Sequence, residues 1–502
     1  MGFVLALDEG TTSTRAVVFS EDGRAVASSA QEFAQHFPAT GLVEHDAAEI
    51  WRTSREVIGR VMGQAQLTHD DITALGITNQ RETTVLWERD TGRPVHRALV
   101  WQDTRGGEHV AALSPHAEEI RAVTGLPVNT YFSAIKLMWL LASDPELRAR
   151  AESGELLFGT IDTWLIWNLT GGVDGGLHVT DPTNASRTML MDLASRTWSD
   201  RMLELTGIPA GLLPEIRPSV GDFGTVAARQ LLGGVPITGV LGDQQAAAFG
   251  QCAFSPGDTK NTYGTGCFLL TNTGTQIRTS EHGLVSTVAY EISGADPVYA
   301  LEGSIAVAGS LVQWLRDSLG IIRTSEEVEE LAASVPDSGD VYFVPAFSGL
   351  FAPRWRPDAR GTLVGLTRFS TKAHIARAAL ESTAFQTAEV LTAMREDTGF
   401  PIRRIHADGG MSVNDALMQF QADVADCTVV RPPVVESTAL GAAFAAGIGA
   451  GVHDGTAAVA AFAREEASWS PAIDADERAR LLGRWEAAVE RSLGWVEQNP
   501  GE

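Results

Sequence analysis

A carboxylate, a glycine and a run of hydroxyl groups near the N-terminus form the first cluster of residues that could do chemistry. Asp8 ends an apolar run, and the polar stretch Gly10–Arg15 follows before a second apolar run begins. Glycine allows backbone N–H groups close to an anion, hydroxyl and guanidinium groups donate to it, and a strand-end carboxylate can bind a divalent cation. The stretch suits a phosphate with its cation; the alternative is an ordinary Gly-Thr hairpin turn.

A second carboxylate lies where a buried strand is predicted to meet a helix. Val235–Leu241 is an apolar run, Asp243 follows Gly242, and the small-residue stretch Ala246–Gly250 predicts a helix. In α/β proteins ligands bind at the edge where strands end and helices begin. Asp243 is therefore a candidate general base, and the alternative is a helix N-cap, a common use of aspartate.

Adjacent unlike charges follow another predicted strand. Arg81 and Glu82 come shortly after the apolar run Ile72–Thr78. A guanidinium and a carboxylate held side by side can donate to and accept from hydroxyl groups. The alternative is a surface ion pair of little energetic consequence.

The predicted elements that position these groups occur twice along the chain. A strand, a polar turn and a returning strand span Val4–Phe19, and the same pattern recurs with strands over Asp258–Tyr263 and Cys267–Thr271 around Gly264-Thr265-Gly266. Repetition at domain spacing predicts two related α/β domains with one ligand between them. The boundary is expected between Phe249 and Pro256, which divides the chain into residues 1–250 and 251–502.

Other stretches complete the predicted architecture. Asp46 and Glu49 suggest a capping box before a helix, and Ile405–Asp408 followed by Gly409-Gly410 suggests either a nucleotide-binding strand end or an ordinary tight turn. The hydroxyl-rich loop Asp181–Arg187 is expected to be structural. Further helices are predicted over residues 303–319, 373–394, 414–425 and 439–451, the last rich enough in Ala and Gly to pack very close to a neighbour.

Composition excludes several classes of protein. The chain has 502 residues, 44% of them hydrophobic, and a formal net charge of −25, which disfavours nucleic-acid partners and anionic membranes. No membrane-spanning stretch and no secretory signal are evident. Cys252, Cys267 and Cys427 are too few and too widely spaced for a disulfide framework or a zinc knuckle, so a cytoplasmic location is expected.

Longer stretches carry a family resemblance. They include Leu5–Arg15, Gly76–Thr84, Leu156–Trp164, Thr183–Thr188, Gly242–Ala247, Lys260–Phe268, Gln313–Asp317, Asp408–Gly410 and Ala439–Ala443. Together they resemble the FGGY carbohydrate kinases, in particular the members that phosphorylate glycerol. The resemblance implies two ribonuclease-H-like domains of the actin and sugar-kinase superfamily flanking a deep cleft, and in-line transfer of a phosphoryl group from ATP that yields sn-glycerol 3-phosphate and begins glycerol catabolism.

The resemblance also implies residue roles. Glycerol would be hydrogen-bonded or contacted by Arg81, Glu82, Trp101, Tyr131, Asp243, Gln244 and Phe268. ATP would be bound by Thr11, Thr12, Ser13, Arg15, Thr265, Gly266, Gly309, Gln313, Gly410 and Asn414. Asp243 would be the general base, and Asp8 with Asp243 would hold Mg²⁺. Domain closure on glycerol would exclude water, and the family's habit suggests a homodimer or homotetramer.

Three departures from the family pattern are visible. Glu9 replaces the usual glutamine, which places an extra carboxylate beside the expected phosphates and is expected to weaken nucleotide binding or recruit metal. Phe351–Pro357 lacks the expected Tyr-Trp-Asp form, which leaves its contacts open. Ala227–Pro236 lacks both the arginine associated with fructose 1,6-bisphosphate inhibition and the histidine phosphorylated by the phosphotransferase system, so weak or absent control by either route is expected.

Two alternative functions remain open at this point. The first is a kinase for another small polyol or a ketose, although Arg81 and Glu82 stand where pentulose kinases carry other residues. The second is a nucleotide-driven binding or filament protein on the same scaffold. The small-molecule constellation of Arg81, Glu82 and Asp243 argues against the second.

Overall fold

The computed structural model describes residues 2–433 and 437–496, which form two main β-sheets surrounded by helices. The first half of the chain contains strands β1 Phe3–Glu9, β2 Ser13–Ser20, β3 Ala25–Glu32, β4 Gln35–His36, β5 Glu44–His45, β6 Ile72–Asn79, β7 Val85–Glu88, β8 Ala98–Leu99, β9 Leu156–Gly159, β10 Val179–Thr180, β11 Met191–Asp192, β12 Thr197–Trp198, β13 Glu215–Ile216 and β14 Ile237–Gly242. Its helices are α1 Ala47–Ala65, α2 Gly107–Leu113, α3 Ala117–Thr124, α4 Ser133–Ser143, α5 Pro145–Glu152, α6 Ile161–Thr170, α7 Pro182–Ala185, α8 Asp200–Thr206 and α9 Asp243–Gly250.

The second half repeats this mixture of strands and helices. Its strands are β15 Thr259–Tyr263, β16 Cys267–Gly274, β17 Val285–Tyr290, β18 Val298–Ile305, β19 Tyr342–Val344, β20 Thr362–Val364, β21 Arg404–Asp408, β22 Thr428–Arg431 and β23 Ala467–Trp469. Its helices are α10 Gly309–Asp317, α11 Glu327–Ala333, α12 Lys372–Thr398, α13 Asp415–Ala425, α14 Ser437–Gly449, α15 Thr456–Ala460 and α16 Ala475–Glu490.

The N-terminal sheet has the strand order β14-β6-β1-β2-β3. Strands β1, β2 and β3 form an antiparallel meander, whereas β6 and β14 run parallel to β1. Asp8 lies opposite Thr78 of β6, and Gly242 lies opposite Asn79. Because the carboxyl ends of parallel strands meet at one edge, this register brings Asp8 and Asp243 to the same end of the sheet.

The C-terminal sheet has the order β17-β18-β16-β15-β21-β22-β23. Here too a hairpin, β15 with β16, is followed by a strand, β21, that runs parallel to its first strand. The predicted repetition of the opening hairpin is therefore confirmed at the level of sheet topology. In each half, the first strand of the hairpin and the strands parallel to it end at the same edge of the sheet.

Helix α14 belongs to the second half of the chain but packs against α9 and against strands β1, β6 and β14 of the N-terminal sheet. The contact is backbone on backbone: a Cβ added at Gly441 would lie 1.8 Å from the Ala246 carbonyl oxygen, and one at Gly76 would lie 2.2 Å from that of Ala442. The prediction of a very closely packed helix over residues 439–451 is confirmed, with its end at Gly449. Glycine is required at both positions by this approach.

Two local predictions are wrong. The helix expected over residues 303–319 begins only at Gly309, because residues 303–305 continue β18, paired with β16. The capping box is half formed: Asp46 accepts hydrogen bonds from the N–H groups of Ala48 and Glu49, but the Glu49 carboxylate accepts from Arg52 instead of returning to the cap. In the first case strand pairing with β16 overrides the local helical pattern. In the second case Arg52 takes the Glu49 carboxylate that the capping box would have used.

None of the helices in the described ranges combines the length and the apolar character that a membrane crossing requires. The three cysteines carry free thiols.

Candidate active site

Two carboxylates, Asp8 and Asp243, lie at the same edge of the N-terminal sheet and interact electrostatically. Asp8 is paired across the β1–β2 hairpin with Arg15. Burial raises the pKa of Asp8 to about 7, with Arg15 opposing and the negative charge of Asp243 adding to the rise. A carboxylate at the end of a strand is of the type that binds a divalent cation.

Asp243 is held by one oxygen. Its Oδ1 lies 3.0 Å from Arg81 Nε and accepts the backbone N–H of Gln244 at 2.7 Å, while Oδ2 has no hydrogen-bond donor among the described residues. Helix α9 begins at Asp243 itself, with Gly242 at the N-cap. The alternative interpretation of Asp243 as an N-cap is therefore wrong, and a free carboxylate oxygen remains.

Arg81 and Glu82 are buried, and neither forms the surface ion pair considered from the sequence. Arg81 donates to both oxygens of Glu302, at 2.5 Å and 2.9 Å, and Glu82 Oε1 accepts from Arg187 Nε at 2.5 Å. Arg187 Nη2 also lies 3.4 Å from Glu302 Oε1. The four side chains form one buried cluster of two positive and two negative charges, which we call the four-charge cluster.

The two carboxylates of the four-charge cluster are in different electrostatic environments. Burial disfavours the charge of Glu302, but Arg187, Arg81 and Lys260 outweigh it and lower its pKa to about 2. Burial raises the pKa of Glu82, with Arg187 and Arg81 opposing that rise. Glu302 is thus a fixed negative charge, and Glu82 Oε2, which has no donor within the described ranges, is left to face a ligand.

The residues predicted to contact the alcohol's apolar side form an aromatic wall. The Trp101 ring meets Tyr131 edge-on at 5.7 Å and Phe268 edge-on at 6.0 Å. The Trp101 indole N–H donates to Thr11 Oγ1 at 3.0 Å, which joins this wall to the turn between β1 and β2. Lys136 fixes the wall from behind by donating to the Tyr131 carbonyl at 2.7 Å. Predicted residues from both halves of the chain therefore meet at one place.

Gln244 completes the polar end of the site. Its side chain is buried, and its Oε1 accepts a hydrogen bond from Lys260 on β15. Lys260 also donates to Thr262 at 2.9 Å. A fully buried ammonium thus joins α9 of the N-terminal sheet to a strand of the C-terminal sheet.

A cavity of about 410 Å³ lies at the ends of the C-terminal strands. Five of the predicted nucleotide ligands line it, namely Thr265, Gly309, Gln313, Gly410 and Asn414. Gly266 is absent from this lining because its Cα packs against β18, where an added Cβ would lie 2.2 Å from the Ile305 carbonyl oxygen. The remaining predicted phosphate ligands, Thr11, Thr12, Ser13 and Arg15, lie on the β1–β2 hairpin.

The hypothesis that Glu9 adds a carboxylate beside the phosphates is wrong. Adjacent strand residues point to opposite faces, so Glu9 faces away from Asp8 and is fully buried against α1. It accepts hydrogen bonds from Thr14 at 3.0 Å and Ser54 at 3.3 Å, and burial raises its pKa well above the usual range. Glu9 is therefore a buried, hydrogen-bonded acid between the N-terminal sheet and α1.

The loop Phe351–Pro357, whose contacts the sequence left open, packs beside the site. Arg354 is paired with Glu389 and Glu486, and the Trp355 indole donates to the Gly283 carbonyl at 2.6 Å. Phe351 and Trp355 help to line a smaller cavity of about 80 Å³ that Tyr131 also borders. The basic residue Arg354 thus has an anchoring contact inside its own half of the chain.

Three charged residues of the site were missed by sequence reasoning. Arg187 lies in the loop that was expected to be structural, and its side chain donates to Glu82. Glu302 and Lys260 lie within strands, outside any polar turn. Charged residues are almost never fully buried unless paired, so a charge inside a predicted strand was the available signal.

Comparison with known proteins agrees with this geometry. Residues 3–250 match the N-terminal domain, and residues 259–450 the C-terminal domain, of the FGGY family of carbohydrate kinases. A protein of Renibacterium salmoninarum named glycerol kinase is 55% identical over 499 residues, 99% of each chain. One of the same name from Methylorubrum extorquens is 56% identical over 496 residues, 98% of this chain and 99% of that one.

Two solved structures are similar to this chain over nearly its whole length. The Plasmodium falciparum glycerol kinase with ADP superposes with a TM-score of 0.91 at 37% identity over 99% of each chain. A xylulose kinase from Lactobacillus acidophilus superposes with a TM-score of 0.87 at 23% identity over 98% of each chain, which supports the fold alone. With both family models matched in order and the two-sheet architecture in place, the chain belongs to the FGGY family of carbohydrate kinases.

Proposed function

We propose that this protein transfers the γ-phosphoryl group of ATP to a terminal hydroxyl of glycerol, giving sn-glycerol 3-phosphate and ADP as the first step of glycerol catabolism. The observation that carries the choice of substrate is the 55% identity, over 99% of both chains, to a protein named glycerol kinase. The site supports it because a compact polar end and an aromatic wall match a three-carbon molecule with hydroxyl groups on one side and C–H groups on the other.

The polar end offers suitable partners for an alcohol. Glu82 Oε2 accepts from a hydroxyl, while the Tyr131 hydroxyl, kept protonated because burial raises its pKa, donates to one. Arg81 donates hydrogen bonds to Glu302 and Gln245 and forms an ion pair with Asp243 through Nε, which leaves one Nη2 hydrogen for the substrate. In this assignment Gln244 contributes its side-chain amide, and Trp101 with Phe268 covers the carbon chain.

Asp243 is assigned as the general base. As the terminal oxygen of glycerol forms its bond to the γ-phosphorus, the bond from phosphorus to the β-phosphate oxygen breaks and the hydroxyl proton passes to Asp243 Oδ2. Oδ1 is already bound to Arg81 and to the Gln244 N–H, so the carboxylate is oriented before the substrate arrives. This fixed orientation reduces the entropic cost of reaching the transition state.

The phosphates are assigned to the two polar turns. Thr11, Thr12, Ser13 and Arg15 would contact the β- and γ-phosphates, and Thr265 with Gly266 the α-phosphate side, with the base in the 410 Å³ cavity. Asp8 and Asp243 fit a Mg²⁺ site, since Mg²⁺ is typically held by one or two carboxylates plus phosphates, and the described residues contain no group of three metal-ligating side chains that would form a full cage. When bound there, Mg²⁺ neutralises phosphate charge.

A direct assay tests the proposal. Purified protein is given ATP, Mg²⁺ and either glycerol, erythritol or xylulose, and both ADP release and the phosphorylated product are measured. We expect glycerol to give the highest kcat/KM and sn-glycerol 3-phosphate as product. Glycerol as the poorest of the three would favour another polyol or ketose, and ADP release that does not depend on glycerol would favour a nucleotide-driven binding protein.

Three coarser assignments accompany this function. The chain is divided into domains 1–250 and 251–502, supported by the switch from one sheet to the other after α9. We assign the protein to the cytoplasm and to a homodimer or homotetramer, which fractionation and analytical ultracentrifugation test.

A further inference from the structure

A carboxylate from the C-terminal sheet lies behind the site that the N-terminal sheet builds for the alcohol. Glu302 is on β18, paired with Leu270 of β16 and Val285 of β17. Its side chain is fully buried and points at Arg81 and Arg187, both of which lie in the first half of the chain. One side chain therefore connects the two halves at the base of the cleft.

Each arginine that Glu302 binds holds one of the carboxylates assigned to the alcohol. Arg81 Nε lies 3.0 Å from Asp243 Oδ1, and Arg187 Nε donates to Glu82 Oε1 at 2.5 Å. Glu302 does not itself touch Asp243 or Glu82 through any hydrogen bond in the described part of the chain. It can influence the general base and the hydroxyl acceptor only through the two guanidinium groups.

Charge and burial make the positions of Arg81 and Arg187 depend on Glu302. The four-charge cluster is neutral as a whole, and removal of one charge from a buried, paired group leaves an uncompensated ion. The Nη1 and Nη2 atoms of Arg187 are buried without a hydrogen-bond partner in the described part of the chain, so the ion pair of Nη2 with Glu302 at 3.4 Å is the charge interaction that restrains this end of the guanidinium. The low pKa of Glu302 agrees with a charge that both arginines stabilise.

We propose, on the basis of the proposed function, that Glu302 is a positioning residue. Through the two arginines it fixes the general base Asp243 and the hydroxyl acceptor Glu82 relative to the C-terminal half of the molecule. Movement of β18 relative to the N-terminal sheet would shift both carboxylates together through Arg81 and Arg187. The site would thus reach its working geometry only when the nucleotide-binding half is correctly placed. Glu302 does not border the 410 Å³ cavity, so nucleotide binding itself should not depend on it.

Glu302→Gln is the test, because the amide keeps the shape and removes the charge. We expect kcat/KM for glycerol to fall about 100-fold, as for catalytic groups displaced by about 1 Å, with KM for ATP changed less than about twofold. Glu291→Gln is the matched control. Glu291 is paired at 3.1 Å with Arg196, also across the two halves of the chain but away from the site, and its kinetics should resemble those of the unmodified protein.

The possible outcomes separate the two proposals. If the unmodified protein does not phosphorylate glycerol, the proposed function fails; if it does, and Glu302→Gln behaves like Glu291→Gln, the positioning role fails. An equal loss of affinity for ATP and glycerol would also overturn it, because that pattern indicates a general structural defect. If Glu302→Gln melts early, Glu302→Asp decides: it keeps the charge one methylene farther from both arginines, and normal glycerol kinetics in that folded variant would exclude the positioning role.

Discussion

Asp243 offers a sharp test at the scale of one residue. Asparagine in its place retains Oδ1 for Arg81 and the Gln244 N–H but cannot take a proton from the alcohol. We therefore expect Asp243→Asn to lose about 1,000-fold in kcat, within the range for a general base, while calorimetry finds glycerol and a non-hydrolysable ATP analogue still bound. A kcat near that of the unmodified protein would remove Asp243 from this role.

The site residues differ in how far the sequence could predict them. Asp8, Asp243 and Arg81 follow strand-like runs, so their placement at one sheet edge follows from alternation and topology. Glu302 and Lys260 could not be assigned in this way, because their significance depends on which arginine or amide the opposite half brings to them. Glu9 was expected to lie beside Asp8 near the phosphates, but neighbouring strand residues face opposite sides of the sheet, so its side chain lies on the other face.

Asp162 should make stability depend on pH. Burial raises its pKa to about 7, and its oxygens accept from the hydroxyls of Thr160 and Thr180 at 2.5 and 2.6 Å. Between its unfolded pKa of 3.8 and about 7, the folded chain keeps a proton that the unfolded chain releases, so this group's contribution to stability falls as pH rises through that window.

Asp162→Asn removes that loss because the amide carries no charge at any of these pH values. The melting temperature of the variant relative to the unmodified protein should therefore increase from pH 5 to pH 8, as measured by circular dichroism. Asp144→Asn, at the exposed N-cap of α5, controls for the chemical change, since asparagine is an equally good N-cap. A relative melting temperature of Asp162→Asn that is constant or falls with pH would contradict the prediction.

At the scale of elements, helix packing sets the position of Asp243, the residue that we assign as general base. Helix α9 carries Asp243 at its first residue, and α14 lies against α9 with Gly441 in contact with the Ala246 backbone. The close spacing was predictable from the Ala and Gly composition of residues 439–451. The element against which α14 packs was not predictable, because nothing in the local sequence indicates that a helix from the second half packs on the N-terminal sheet.

Gly441→Ala should separate α14 from α9. The added Cβ would lie 1.8 Å from a backbone oxygen, and a contact that short requires the helices to move. Overpacking of this kind costs about 1–3 kcal/mol, so the melting temperature should fall, and kcat should fall with it because Asp243 moves with α9. Gly483→Ala, on the exposed face of α16 with no atom within 4 Å of the added Cβ, should be neutral or slightly stabilising; equal behaviour of the two variants would contradict the packing argument.

At the scale of the whole molecule, the two halves communicate through buried charges as well as through apolar packing. One hydrophobic cluster contains residues of both sheets, including Ala6, Leu241, Leu270 and Ala300. Apolar contacts of this kind tolerate small sliding, whereas the directional pairs Arg81 with Glu302 and Gln244 with Lys260 have a narrow range of good geometry. The relative placement of the sheets is therefore most sensitive to these two pairs.

Lys260→Met tests the second pair. Lys260 joins Gln244, on the proposed alcohol side, to Thr262, two residues before the Gly264–Gly266 turn on the proposed nucleotide side. Its ammonium lies among the negative charges of Asp408, Glu302 and Asp243. Loss of this buried charge leaves the carboxylates to repel one another across the cleft, so KM for glycerol and KM for ATP should rise together. Lys372→Met, at the exposed start of α12, is the control and should change neither; a rise in KM for glycerol alone would confine Lys260 to orienting Gln244 and remove it as a link between the halves.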